Sequence, residues 1–158
     1  MPQGTATLVR REDYAPPPYR IRHVELGFDL DPAKTIVASR LHLERAAGTA
    51  AGTPLALDGE GLNLLRVMSD GASVSFRHEG DKLVIDQPPA DEAFVLEIRA
   101  TCAPDRNTAL SGLYASGSGL FTQCEAEGFR RITYFLDRPD VMATYRVTLR
   151  ADRTRYPV

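Results

Sequence analysis

The chain has 158 residues, 43% of them hydrophobic and 25% charged, with a formal net charge of −2. That is enough for one domain with its own core, and the near-neutral balance excludes the basic footprint of a nucleic-acid binder. No apolar run approaches the roughly 20 residues that span a bilayer, so neither nucleic acid nor a membrane is an expected partner.

Residues 1–18 read as an extended N-terminal arm. The opening residues lack an apolar segment and place Arg10 and Arg11 late, which is not the pattern of a secretory signal. A cytoplasmic protein follows, and with it reduced thiols at Cys102 and Cys124 rather than a bridge.

From residue 19 the pattern is β. Val24, Leu26, Phe28 and Leu30 share one parity and His23, Glu25, Gly27 and Asp29 the other, a period of two that marks a half-buried strand. Asp31 and Pro32 turn the chain. A second strand over 35–44, with Val37, Leu41 and Leu43 on one face, completes an antiparallel hairpin. After a small-residue loop over 46–54, shorter strands are predicted at 54–57, 62–68, 73–78, 82–86 and 94–99. They are separated by the turn signals Asp58-Gly59, Ser69-Asp70-Gly71 and Glu79-Gly80-Asp81. Turns about every ten residues predict a mainly β fold, an antiparallel sandwich or a curved sheet. Two short strands flank residues 115–119. Phe129, Ile132 and Phe135 or Leu136 recur at helical spacing, so a short helix is predicted near 127–136, ended by Asp137-Arg138-Pro139. Residues 142–151 alternate again, with Tyr145, Val147 and Leu149 on one parity. Nothing over 155–158 closes a domain, so residues 19–158 read as a β domain that continues into a longer protein.

Few residues in this pattern can carry chemistry. His23, His42 and His78 are widely spaced and sit in strands. His78-Glu79 is followed by Lys82 where a zinc helix needs a second histidine, so no metal site is expected within the chain. Cys124 lies between Gln123 and Glu125, whose side chains alternation turns the other way, and neighbouring carboxylates disfavour a thiolate. The glycine-rich residues 112–119 contain neither a nucleophile elbow nor a phosphate cradle. What remains is Gln123, Glu125 and Glu127. If 121–125 is extended, Gln123 and Glu125 share a face about 7 Å apart. There a carboxylate and an amide oxygen can jointly grip an ammonium group. Glu127 is a further candidate, equally readable as a helix-start glutamate complementing the dipole. Arg130 and Arg131 are expected to pair with Asp137 or nearby carboxylates.

Two long blocks then become recognisable: NTALSGLYASG over 107–117 and TQCEAEGFRRITYFLDRPD over 122–140, with DYAP at 13–16 and FDLDPAKT at 28–35. Together they make the chain resemble, from about residue 12 to its end, the amino-terminal domain of the bacterial aminopeptidase N family, the zinc-dependent alanyl aminopeptidases. The resemblance implies a largely antiparallel, saddle-shaped β domain packed against a thermolysin-like catalytic domain of the same chain. It implies that Glu125 binds the α-amine of a peptide N-terminus and that Gln123 lines the pocket for the first side chain. The family's H-E-x-x-H zinc helix and G-x-M-E-N motif are absent. The parent enzyme's zinc would therefore be held outside these residues, and the 158 residues alone are expected to be inactive. The alternatives are a free-standing β-sandwich module for peptides or sugars and a structural interaction domain. If the missing parts normally cover the 122–131 region and the 142–151 strand, the isolated chain is expected to self-associate there.

Overall fold

A computed structural model describes residues 10–157. Eleven strands form among them: β1 (Tyr19–Leu30), β2 (Thr35–Arg45), β3 (Leu55–Asp58), β4 (Asn63–Ser69), β5 (Ala72–Ser73), β6 (Arg77–Glu79), β7 (Lys82–Ile85), β8 (Ala93–Cys102), β9 (Gly112–Ser116), β10 (Gly119–Gln123) and β11 (Thr144–Ala151). They build a six-stranded sheet in the order β11-β1-β2-β8-β4-β5, a three-stranded sheet β3-β7-β6, and the hairpin β9-β10. The mainly β, predominantly antiparallel architecture is the one that alternation predicts.

The β1–β2 turn follows from its residues. The Asp31 carboxylate accepts the backbone N–H groups of Ala33 (2.8 Å) and Lys34 (3.0 Å), and the Thr35 hydroxyl donates to the Asp31 carbonyl (2.8 Å). An Asx turn of this kind reverses the chain without leaving orphan donors. The buried face of β1 changes parity along its length: Tyr19 and Ile21 are buried, then Val24, Leu26 and Phe28. A register shift between Ile21 and His23 accounts for the switch, since the extra residue of a bulge moves every later side chain to the other face.

Val37, Leu41 and Leu43 of β2, and Phe94, Leu96, Ile98 and Ala100 of β8, continue the same face. It meets Leu55 and Leu57 of β3, Leu83 and Ile85 of β7, and residues 132–136 in one core cluster. The opposite face carries charge instead. Glu25 pairs with Arg40 (3.2 Å) and His42 (3.0 Å), and Arg40 with Glu97 (3.2 Å).

Three expectations need correction. The predicted helix near 127–136 is a single 3-10 turn, Phe129–Arg131. Helical spacing cannot continue past it because Phe135 is taken by a bridge to Asp58: the Phe135 N–H donates to the Asp58 carbonyl (3.0 Å) and the Asp58 N–H to that of Phe135 (2.7 Å). The strand expected over 73–78 is two, because the chain leaves the large sheet after Ser73 and enters the three-stranded one at Arg77. β11 runs parallel to β1, His23 opposite Thr144 and Leu30 opposite Ala151, in an otherwise antiparallel set of strand pairs among the described residues. Parallel partners cannot be joined by a tight turn, and here residues 31–143 separate them, the last part of that path being the irregular stretch 124–143. Finally, β10 ends at Gln123, so Glu125 is not on a strand.

Residues 1–9 of the predicted arm lie outside the described residues. The rest of it is tied to residues 138–140. The Tyr14 hydroxyl donates to Asp140 (2.9 Å), Arg138 pairs with Asp140 (2.7 Å) and donates to the Ala15 carbonyl (2.9 Å), and its guanidinium lies 5.9 Å from the centre of the Tyr14 ring.

Core position separates costly from cheap substitutions. Ile98→Ala is expected to cost about 2–5 kcal/mol, the range for truncating a fully packed aliphatic side chain. Val147→Ala, at a residue 53% exposed on β11, is expected to cost about 0.5 kcal/mol or less. Urea unfolding of both variants checks this.

Candidate functional site

The site is assembled at the end of the β9–β10 hairpin, where Gln123 pairs with Gly112. Its approach is organised by Asn107. The side-chain amide donates to the carbonyls of Ser111 (2.7 Å) and Leu113 (2.9 Å), and its oxygen accepts the Ala109 N–H (3.1 Å). Gly112 has φ +75°, and a Cβ there would lie 2.5 Å from Arg131 Cβ. After Gln123 the chain enters a turn over 124–128, closed by the Gly128 N–H donating to the Cys124 carbonyl at 2.7 Å. A Cβ on Gly128 would lie 2.4 Å from the Gln123 carbonyl oxygen and 2.7 Å from Ser111 Oγ. The two glycines let the turn and the hairpin close to backbone contact.

Glu125, Ala126 and Glu127 line an open cleft with Ser111, Arg131 and Pro139. The Gln123 amide nitrogen donates to the Glu125 backbone carbonyl at 3.2 Å, which leaves the amide oxygen free to accept. Among the described residues the Glu125 carboxylate has no ion-pair partner, whereas the charges around it are matched. Glu127 faces Arg130 at 3.4 Å, Arg130 faces Asp137 at 2.9 Å, and Arg131 pairs with Glu60. Burial pulls the Arg130 pKa down. The Asp137 hydrogen bond and the charges of Asp58, Glu127 and Asp137 outweigh it, so the net shift is upward and the guanidinium stays charged.

Of the three residues singled out from the sequence, Glu125 and Glu127 lie on the turn and line the cleft, whereas Gln123 ends β10 and is tied to the turn through the Glu125 carbonyl rather than lining the cleft itself. Sequence reasoning missed Ser111 and Pro139 on the cleft wall, and Glu60 and Asp58 beneath it. Glu60 lies 71 residues from its partner Arg131, and no local spacing signals that pairing.

Cys124 packs against the core side with Leu26, Phe28, Leu113 and Leu120, along an apolar groove continued by Tyr145, Val147 and Leu149. Both cysteines are free. Burial pushes the Cys102 thiol up to about 11, and burial and then the Asp137 charge raise that of Cys124. Neither is a thiolate near neutrality. Among the described residues no three His, Cys, Asp or Glu side chains gather in a way that could hold a metal, and no helix is long and apolar enough to cross a membrane.

The thiol form persists well above neutral pH, so a thiol-specific disulfide reagent at pH 8 is expected to react with the native chain at least about tenfold more slowly than with the unfolded chain. Equal rates in the two states would contradict the burial of both sulfurs.

Comparison with known proteins extends what the geometry implies. The model of the peptidase M1 N-terminal domain matches residues 21–158. The chain is 46% identical over 148 residues to aminopeptidase N of Escherichia coli K12, a match covering 93% of the chain and 17% of that protein. It superimposes on an aminopeptidase A of Legionella pneumophila, solved with aspartic acid, with a TM-score of 0.83 and 31% identity, covering 93% of the chain and 18% of that protein. An M1 zinc metallopeptidase of Deinococcus radiodurans, solved with a Tyr-Ser-Ala substrate, shares the fold at a TM-score of 0.71 and 17% identity, covering 84% of the chain and 32% of that one. The chain thus spans less than a fifth of the length of its aminopeptidase N relative. With a family match over nearly all the described residues, it belongs to the peptidase M1 N-terminal domain family.

Proposed function

We propose that this chain is the amino-terminal domain of a cytoplasmic zinc aminopeptidase that removes N-terminal residues from peptides, and that it supplies the wall that binds the substrate α-amine. One observation carries this reading. On a rim where Glu127, Arg130 and Arg131 are each matched by an opposite charge, the Glu125 carboxylate has no ion-pair partner among the described residues and lines an open cleft. An α-ammonium group supplies the missing charge. Its remaining N–H groups suit the free amide oxygen of Gln123, which also borders the space for the first side chain. Gripping the amine at a fixed place counts one residue from the peptide end, and this makes an exopeptidase of the parent.

The described residues do not fit a zinc site. The metal would belong to a thermolysin-like catalytic domain of the same chain, and would there polarise the scissile carbonyl. Residues 19–157 form the domain that packs against it, preceded by residues 10–18, the described part of the arm. The kinship with peptidases and aminopeptidases supports this division. It leaves the isolated 158 residues without catalytic activity.

In the full-length enzyme, Glu125→Gln is expected to raise KM for aminoacyl substrates about tenfold or more, with a fall in kcat if the amine grip also aligns the carbonyl. Unchanged steady-state kinetics would remove Glu125 from the site. The isolated chain is expected to self-associate through β11. Tyr145, Val147 and Leu149 of that strand are 48–63% exposed, and they border an apolar groove beside a strand paired on one side only among the described residues. Light scattering should show a mass above the 17.4 kDa of one chain that rises with concentration. A monomer at every concentration would contradict it.

A further inference from the structure

The cleft rim carries two carboxylates two residues apart, and the structure treats them differently. Glu127 has a cation at 3.4 Å, and Glu125 has none among the described residues. That cation is held with little freedom. The Arg130 N–H and Nε both donate to the same oxygen of Asp137 (3.1 and 2.9 Å), Nη2 donates to the Asp137 carbonyl (3.0 Å), and the Arg130 carbonyl accepts the Glu60 N–H (2.9 Å). Asp137 is itself buried, and its N–H reaches Asp58 (3.3 Å), whose other carboxylate oxygen takes Lys82 (2.5 Å). The chain of contacts runs from the three-stranded sheet to the rim. A guanidinium fixed in this way has already lost its rotamer freedom. It can therefore hold an exposed carboxylate at less entropic cost than the mobile side chains of an ordinary surface ion pair.

An ammonium ion meeting two free carboxylates on one rim would have two seats. Only one can place the scissile bond correctly, because the enzyme measures from the amine. We infer that Arg130, held by Asp137, is a positioning residue: it engages the Glu127 carboxylate and leaves Glu125 as the single seat for the α-amine. Glu127 is then not a substrate ligand. This rests on the reading of Glu125 as the amine-binding group, and extends it from which residue binds to why only one register is productive.

The test is steady-state kinetics of the full-length enzyme on one aminoacyl substrate, comparing Arg130→Gln, Glu127→Gln, the double variant and Glu125→Gln. Freeing Glu127 creates nonproductive binding, which lowers kcat and KM by the same factor. For Arg130→Gln the expected fall in each is about 3- to 10-fold, with kcat/KM held within about twofold. Glu127→Gln in the same chain should restore both constants, and alone should move each by no more than about twofold. A purely structural Arg130 would lower kcat/KM and would not be rescued by Glu127→Gln, and that result overturns the inference. So does a rise in KM for Glu127→Gln alone comparable to that for Glu125→Gln, which would make Glu127 a ligand. That arm decides even if Arg130→Gln fails to fold, because Glu127 is an exposed side chain outside the core. If Glu125→Gln alone changes nothing, the amine-binding reading fails first. If it raises KM but the rescue fails, only the role of Arg130 is lost.

Discussion

The pairing of Asp58 with Phe135 fixes where the candidate site lies. It takes an irregular connection, residues 124–143, and fixes one point of it to the edge of the three-stranded sheet through two backbone hydrogen bonds. Asp137 follows two residues later and Arg130 folds back onto it, which sets the turn that carries Glu125. The same anchored stretch buries Ile132, Tyr134, Phe135 and Leu136 in the common core. The chain then returns alongside β1 as a parallel strand. The site is thus set by backbone pairing and by burial of an apolar segment, and its polar groups are arranged on top of that frame.

Magnitudes support this order of importance. Each fully buried aliphatic or aromatic side chain contributes about 1.5–3 kcal/mol, and the shared core contains many. Exposed ion pairs such as Arg40–Glu97 and Arg22–Glu44 contribute about 0–1 kcal/mol each, so they decorate the outer face more than they hold it. Arg130–Asp137 is different in kind. Asp137 is buried, and removing Arg130 would leave its charge without its main partner. Pairs of that type matter for what is lost on breaking them. On the cleft rim, where Glu127, Arg130 and Arg131 are matched, the Glu125 carboxylate is left without an opposite charge among the described residues.

Much of the fold was legible because period two with a single buried face admits few interpretations. Val24, Leu26 and Phe28, and Val37, Leu41 and Leu43, identify the first hairpin, and the Asp-Gly turn dipeptides punctuate the shorter strands. What was not legible has physical reasons. The bulge near Arg22 reverses parity, and nothing in the local pattern announces it. Phe129, Ile132 and Phe135 satisfy helical spacing, yet a 3-10 turn followed by a sheet bridge buries Ile132 and Phe135 and half-buries Phe129 just as a helix would. Local periodicity cannot tell the two apart. The parallel course of β11 depends on how a long connection travels. At the site, Gln123, Glu125 and Glu127 were visible because acidic and amide groups in an otherwise framed segment are conspicuous. Their surroundings were not, since Ser111, Glu60 and Asp58 arrive from separate parts of the chain. The Arg130–Asp137 pair was foreseeable at a spacing of seven residues, and Arg131–Glu60 was not.

The proposed role of Glu125 reduces to one contact, an unmatched carboxylate at the end of a hairpin receiving the amine of a peptide. A crystal structure of the full-length protein with a bound amino acid addresses it most directly. The ligand nitrogen should lie within about 3.2 Å of a Glu125 carboxylate oxygen, with the Gln123 amide oxygen facing the same ligand and Glu127 still turned to Arg130. An amine held wholly by other residues, with Glu125 pointing to solvent, would contradict the account.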